Sequence, residues 1–479
     1  MKSQRVSEYF KLKRTQPTLD FVDVDVFGDA RVFIDPRALR LLPSTWGAEC
    51  VSLVQHFFGV VLKAIKKKEH DRARQLLAVL REPNETHLGL SRGRARGRAL
   101  GHESAGDVWD ALRESEAVVS GLLEDLEDTI LMVEGISSDI ISDITTNLIR
   151  QPLIQYTHSM SALYGIPLTP DIDSGPLWDP QRAEWFSELV PLPLTKWGKL
   201  LLVPKVIVRR NMDYDADEYF RHYLLEHLRG LELDANTELV QLLKNGSVRV
   251  TKKDLIEKYG QGKSMVVEET RKHPEVLARY RGDKRKRHQP PLDHLDLAQT
   301  EGTPIPDWDQ LLKSLQAVPT GKAAFDDYES AVEALLSALF YPSLSQPEVH
   351  TPLHEGRKIV DIVYTNAAQS GFFGWAAHNY PAAYVFVECK NYEGDPGNPE
   401  LDQLSGRFSP SRGQIGILAC RTFKDKKLFL KRCRDTATDH RGFIIALDDE
   451  DLATLVEECK TGGPIHYKLL RERFQALVM

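Results

Sequence analysis

The sequence predicts an α/β protein in two parts: a larger, helix-rich α+β N-terminal module and a C-terminal unit that alternates helices with short apolar strands. Three observations carry this. Long stretches such as Val51–Leu80 and Val108–Ile149 repeat apolar residues at helical spacing. A Pro-containing, charged stretch interrupts the chain near residues 290–320. Beyond it, runs such as YVFVECK and FIIAL are apolar on both faces, as central strands of a covered sheet are.

In order along the chain, Leu19–Ile34 (LDFVDVDVFGDARVFI) alternates polar and apolar residues about Gly28-Asp29 and predicts a β-hairpin. Residues 88–101 space Arg92, Arg94, Arg96 and Arg98 between small residues, the composition of a loop that can meet phosphate. Lys199–Val208 predicts a buried strand and Tyr219–Leu231 a helix. Asp213, Asp215 and Asp217 imitate the start of a calcium loop, but Glu218 and Leu224 stand where Gly and Glu are needed, so these acids are read as helix caps. Residues 271–290 carry a net charge of +6, including Lys284-Arg285-Lys286-Arg287, and four prolines follow between 290 and 306. The expected division is therefore a module over 1–290, a linker over 291–320 and a second domain over 321–479.

Within 321–479 the pattern is helix (Phe325–Phe340), two strands (Glu348–Pro352 and Arg357–Tyr364) about the turn His354-Glu355-Gly356, strand (Tyr384–Lys390), helix from Asn398-Pro399, strand (Gln414–Arg421), helix (Asp425–Asp435), strand (Phe443–Leu447) and helix (Asp451–Lys460). Polar groups interrupt these strands at particular places. Asp361 lies on the face of Ile359 and Val363, and Glu388 and Lys390 on the face of Tyr384 and Phe386. A charge on a buried strand is costly unless partnered, so the pattern requires an explanation.

Glu329 on a helix, Asp361 in a hairpin strand and Glu388-Cys389-Lys390 on the next strand resemble the PD-(D/E)xK restriction-endonuclease-like superfamily, closest to its Mrr-like and phage-defence branches, where an aromatic-Glu pair (here Tyr328-Glu329) opens the helix. Val360 replaces the Pro of the family name. The resemblance spans the last third of the chain; no family is recognised in residues 1–290. It implies an αβββαβ core and a Mg²⁺-dependent endonuclease, with Mn²⁺ as a substitute, acting on nucleic acid, DNA before RNA, in prokaryotic defence or restriction. Asp361, Glu388 and the carbonyl of Cys389 would hold the metal, Lys390 would serve the attacking water, and Glu329, with Glu333 in reserve, would be the helix acid. A hard divalent cation wants such oxygens, and phosphodiester hydrolysis wants both an activated water and offset charge. A Lys beside a metal is expected to have a depressed pKa. Gln403 is a candidate contact to the site. The alternative is a catalytically inactive nuclease-fold protein that binds nucleic acid or an assembly.

The net charge of −7 gives no whole-chain signal for nucleic acid, but residues 407–441 carry +7. Lys426, Lys427, Lys431 and Arg432 are accordingly expected on the phosphate track. A helicase, ATPase or sensor partner and a homo-oligomer are compatible expectations. Five scattered cysteines without a Cys-x-x-Cys pair argue against a disulfide framework or zinc ribbon and for a cytoplasmic setting. No signal peptide opens the sequence, and Leu200–Val208, taken as the longest apolar run, is too short for a membrane. The acids Asp23, Asp25, Asp29 and Asp35 and the pair Asp139 and Asp143 are read as exposed or capping groups, and no metal-binding histidine spacing, phosphate loop or serine elbow is present.

Overall fold

The computed structural model describes residues 4–89, 108, 111–113, 115–287, 289–353, 358–392, 394, 396–462 and 467–479. The Arg-rich loop at Arg92–Arg98 and the turn at His354-Glu355-Gly356 lie outside them. The protein is mixed α/β. Two apolar cores organise it, one drawn mainly from Val6 to Leu297 and the other from Leu315 to Leu477.

The first core centres on helix α1 (Thr45–Lys66), whose N-terminus is capped by Ser44 accepting from the Gly47 N–H at 3.1 Å. Leu53, Val54, Phe57, Phe58, Val61 and Ile65 recur at helical spacing and are buried. By length and composition α1 is apolar enough to cross a membrane, contrary to the expectation that no run approaches that; its apolar stripe is spent on the core. Helices α2 (Ser138–Leu148) and α3 (Arg150–Tyr164) pack nearby, and Val108–Ile149 is broken into shorter helices rather than one.

Two expectations in this module fail. Leu19–Ile34 does not pair with itself. Phe21 bridges Pro204, Asp25 bridges Arg5, and Phe33–Ile34 pairs antiparallel with Val208–Arg209. Its alternate acids face inward with partners: Asp23 accepts from the Ser7 N–H and Oγ at 2.8 and 2.6 Å, and Asp35 caps the Arg37 N–H at 2.9 Å. Lys199–Val208 is buried but not a continuous strand, because a 3₁₀ turn at Lys205–Ile207 follows Pro204.

The stretch expected as a charged linker is helical. Beyond helix α4 (Leu225–Asp234) and two further helices (Lys252–Tyr259 and Lys263–Lys272), the basic run lies on α5 (Pro274–Lys286), opened by Pro at its first position. Lys284 is tied to Glu218 at 2.6 Å rather than free. Residues 291–320 hold α6 (His294–Glu301) and α7 (Trp308–Gln316). Leu315 of α7 sits in the second core, and His294 Nε2 lies 2.9 Å from the Ala338 carbonyl.

The second core holds the site. Helix α8 (Phe325–Phe340) buries Val332, Leu335, Leu336, Leu339 and Phe340, and Asp326 and Asp327 in its first turn complement the helix dipole. A five-stranded sheet runs in sequence order: β1 (Leu344–Leu353), β2 (Lys358–Asn366), β3 (Tyr384–Lys390), β4 (Ile415–Cys420) and β5 (Phe443–Leu447). β1, β2 and β3 are antiparallel; β3, β4 and β5 are parallel and almost wholly buried. Between them lie α9 (Gly371–Asn379), α10 (Asn398–Ser405) and α11 (Lys426–Thr438), and α12 (Asp449–Gly462) and α13 (Lys468–Val478) follow. α9 and α13 were not expected. They build one aromatic layer, in which Phe474 meets Phe372, Trp375, Tyr380 and Phe443 with centroids 4.9–6.0 Å apart.

Candidate active site

β2 and β3 pair from Thr365 and Tyr384 to Ile362 and Val387. One step further Asp361 stands opposite Glu388, where the recorded ladder ends. The period-2 rule puts Asp361, Glu388 and Lys390 on the same face, so three chemistry-bearing side chains meet at one strand end. The Cys389 N–H, no longer held by the ladder, donates to Asp361 Oδ2 at 2.8 Å. In an extended strand the C=O of a residue turns to the same side as its N–H, so the Cys389 carbonyl also faces Asp361.

Glu388 is fully buried, and its Oε1 accepts from Lys390 Nζ at 2.8 Å and from Gln403 Nε2. Gln403 Oε1 in turn lies 3.5 Å from Lys390 Nζ, which makes Gln403 a neighbour of the site. Arg407 Nε stands 3.8 Å from Glu388 Oε2 and is itself buried. Sequence reasoning counted Arg407 only among surface charges. It falls four residues after Gln403, just past the end of α10. His350 on β1 is a second residue sequence reasoning missed, with Nε2 2.9 Å from Glu329 Oε1.

The two helix acids differ in their partners. Glu333 is 1% exposed and salt-bridged to Arg14 at 2.8 Å, with Ser337 donating to its other oxygen. It is therefore committed to the N-terminal module. Glu329 is the acid that feels Asp361 and Glu388.

The electrostatics are those of carboxylates crowded in a poorly solvated place. Burial pushes Glu329 up to about 8, and Asp361, Asp326 and Glu388 add to it. Burial also raises Asp361 and Glu388. Burial opposes the charge of Lys390, but Glu388 and Asp361 outweigh that and raise its pKa. Glu329 Oε2 and Glu388 Oε2 are buried oxygens without a hydrogen-bond donor. Orphaned oxygens and mutually repelling carboxylates are what a hard divalent cation relieves, so the donor set fits Mg²⁺.

The basic tract is only partly free. Lys426 is bound by Asp448 and Asp451 at 2.8 and 2.9 Å, Arg421 by Asp449 at 3.1 Å, and Arg441 by Asp402 at 2.7 Å. Lys426 is thus a structural cation of the domain, correcting its expected place on the phosphate track. Lys427 and Lys431 are exposed and Arg432 half-buried on α11.

A family model described as a domain of unknown function (DUF8370) matches residues 11–215, a stretch that contains Arg14 but none of the site carboxylates. No curated protein and no solved structure matches the chain.

Proposed function

We propose that this chain is a metal-dependent endonuclease of the PD-(D/E)xK restriction-endonuclease-like class, hydrolysing phosphodiester bonds of nucleic acid, DNA before RNA, in prokaryotic anti-phage defence or restriction. One observation carries the reading: Asp361 and Glu388 face each other at a strand end, with Lys390 Nζ 2.8 Å from Glu388 on the same face. From α8 to β4 the elements run helix, three strands, helix and strand, with α9 inserted between β2 and β3.

In this reading Asp361, Glu388 and the Cys389 carbonyl hold Mg²⁺, or Mn²⁺ in its place. The bound cation supplies Lewis-acid stabilisation of the phosphate and lowers the pKa of water. The chain's own residues do the rest. Lys390, held as an ammonium, would orient the attacking water, whose proton would pass to solvent, while Gln403 donates to the Glu388 oxygen that also accepts from Lys390. Arg407 and Lys390 offset charge growing on the phosphate. Glu329, hydrogen-bonded by His350, holds a proton at the mouth of the site. The N-terminal module then serves recognition or regulation, in the cytoplasm, with a helicase, ATPase or sensor protein, or a second copy of the chain, as partner.

The test is incubation of the purified chain with plasmid DNA and with RNA, in Mg²⁺ and in EDTA, beside Asp361→Asn and Glu388→Gln. Cleavage that needs Mg²⁺ and both carboxylates supports the reading. Binding of nucleic acid without metal-dependent cleavage would favour the inactive nuclease-fold alternative.

A further inference from the structure

Far from the sheet, α4 and the head of α5 bring together groups that no sequence spacing joins. His227 and His273, 46 residues apart, and Glu275 each offer a ligand atom, all within 4.8 Å of one another, and they are the one such trio among the described residues. His227 Nε2 lies 3.4 Å from Glu275 Oε1, and His273 Nδ1 lies 3.6 Å from the same oxygen. The two imidazole rings are 4.7 Å apart between centroids, inclined at 58°.

Those spacings have a geometric meaning. Zn²⁺ takes His nitrogens at ~2.0–2.1 Å and carboxylate oxygens at ~2.0–2.2 Å in a tetrahedron. The edge of a tetrahedron is about 1.63 times its radius, which gives about 3.3–3.6 Å between ligand atoms at those bond lengths. Both observed separations fall on that edge. His227 Nε2 is also a buried nitrogen with no hydrogen-bond partner. Glu275 is exposed, so the fourth position opens to water.

We infer that His227, His273 and Glu275 form a binding site for Zn²⁺ or a like borderline divalent cation, a clip that ties α4 to the start of α5. Imidazole nitrogen favours such ions over Mg²⁺, so the site is chemically separate from the carboxylate site on the sheet. The surroundings are compatible. Arg279 on α5 is turned to the Tyr223 ring at 5.3 Å and its carbonyl at 3.5 Å.

The experiment is calorimetric titration of the full chain with ZnCl₂, with and without a large excess of MgCl₂, beside His227→Ala, His273→Ala and Glu275→Gln. The expected result is one Zn²⁺ per chain, not displaced by Mg²⁺. Each His variant should weaken binding by more than the ~10–100-fold that loss of a merely supporting group costs. Thermal unfolding keeps the test sound: without zinc the variants should match the wild type, and zinc should raise only the wild-type midpoint. No zinc binding, binding undiminished in both His variants, or displacement by Mg²⁺ would overturn the inference. Nuclease activity is not a readout, so the outcome does not depend on the proposed function.

Discussion

Replacing Arg14 by Ala removes the only cation within salt-bridge reach of Glu333 among the described residues. Arg14 Nη2 sits 2.8 Å from Glu333 Oε2 and also donates to the Ser330 carbonyl and Oγ at 3.1 Å each. It thus joins the N-terminal module to the helix carrying Glu329. Glu333 is 1% exposed, so the carboxylate cannot turn to water when its partner goes. Breaking a buried pair by removing one partner costs about 3–5 kcal/mol. Two features of this site pull the figure down. Ser337 still donates to Glu333 at 2.8 Å, and burial already raises the Glu333 pKa, so the carboxyl can escape by taking a proton. We therefore expect Arg14→Ala to cost about 2–4 kcal/mol near neutral pH.

Glu333→Gln in the Arg14→Ala background removes the stranded charge and should restore most of that loss, giving a coupling energy above about 1.5 kcal/mol. Urea unfolding followed by fluorescence, with hydrogen exchange of the α8 amides to localise the effect, measures both. Cleavage should fall and recover in parallel, because Glu329 lies one turn before Glu333 on the same helix. A loss under about 0.5 kcal/mol, or a double variant no better than Arg14→Ala, would show that the bridge carries no stability and that the module does not brace the site.

Asp361→Asn or Glu388→Gln should reduce Mg²⁺-dependent cleavage at least about 100-fold with unchanged circular dichroism, whereas Lys390→Ala should lose cleavage yet keep metal binding by calorimetry. Neutralising Lys427, Lys431 and Arg432 together should flatten log K against log[salt] by about 0.7–0.9 per lost phosphate contact, while Lys426→Ala should instead cost about 1–3 kcal/mol of stability by stranding Asp448, Asp451 keeping Arg473 at 2.7 Å; binding curves at several salt concentrations and urea midpoints separate the two. Burial, with Asp139, Glu82 and Asp29 adding to it, raises Asp143 to about 9 in the folded chain from 3.8. The native state then binds more protons than the unfolded one between those values, so stability from this group is complete below about pH 4 and is lost as pH climbs to about 9. Asp143→Asn should flatten that fall by a few kcal/mol, and stability curves that stay parallel across this range would count against it.

The sheet and its helix were legible because each is bounded by chemistry that acts locally. Tyr384–Lys390, Phe443–Leu447 and Phe325–Phe340 are continuous or periodic apolar runs ended by charge, Gly or Pro, and the structure ends them at those residues. The facing of Asp361, Glu388 and Lys390 follows from period 2 alone once the two strands are neighbours. What failed was whatever depends on a partner distant in sequence. α9 and α13 are held by an aromatic layer across some 100 residues; α13 does carry Leu470, Phe474 and Leu477 at i, i+4 and i+7, a helical signal the sequence offered. The expected linker reads as Pro and charge, yet Asp293 and Asp307 cap helices within it and its Leu315 and His294 reach the second core.

Charge runs were the least legible feature, for a definite reason. A count over residues 407–441 sums cations but not the acids they meet. Asp448 and Asp451, just beyond that window, take Lys426, Glu388 meets Arg407, and Asp402, just before it, takes Arg441. The same logic decides Glu329 against Glu333. Both point off one helix towards polar surroundings, and only an arginine more than 300 residues earlier removes Glu333 from contention. A charge in a sequence therefore has a function only relative to its unspent partners. At the sheet edge the unspent groups are carboxylate oxygens, which ask for a cation; on α11 they are Lys427 and Lys431, which ask for an anion.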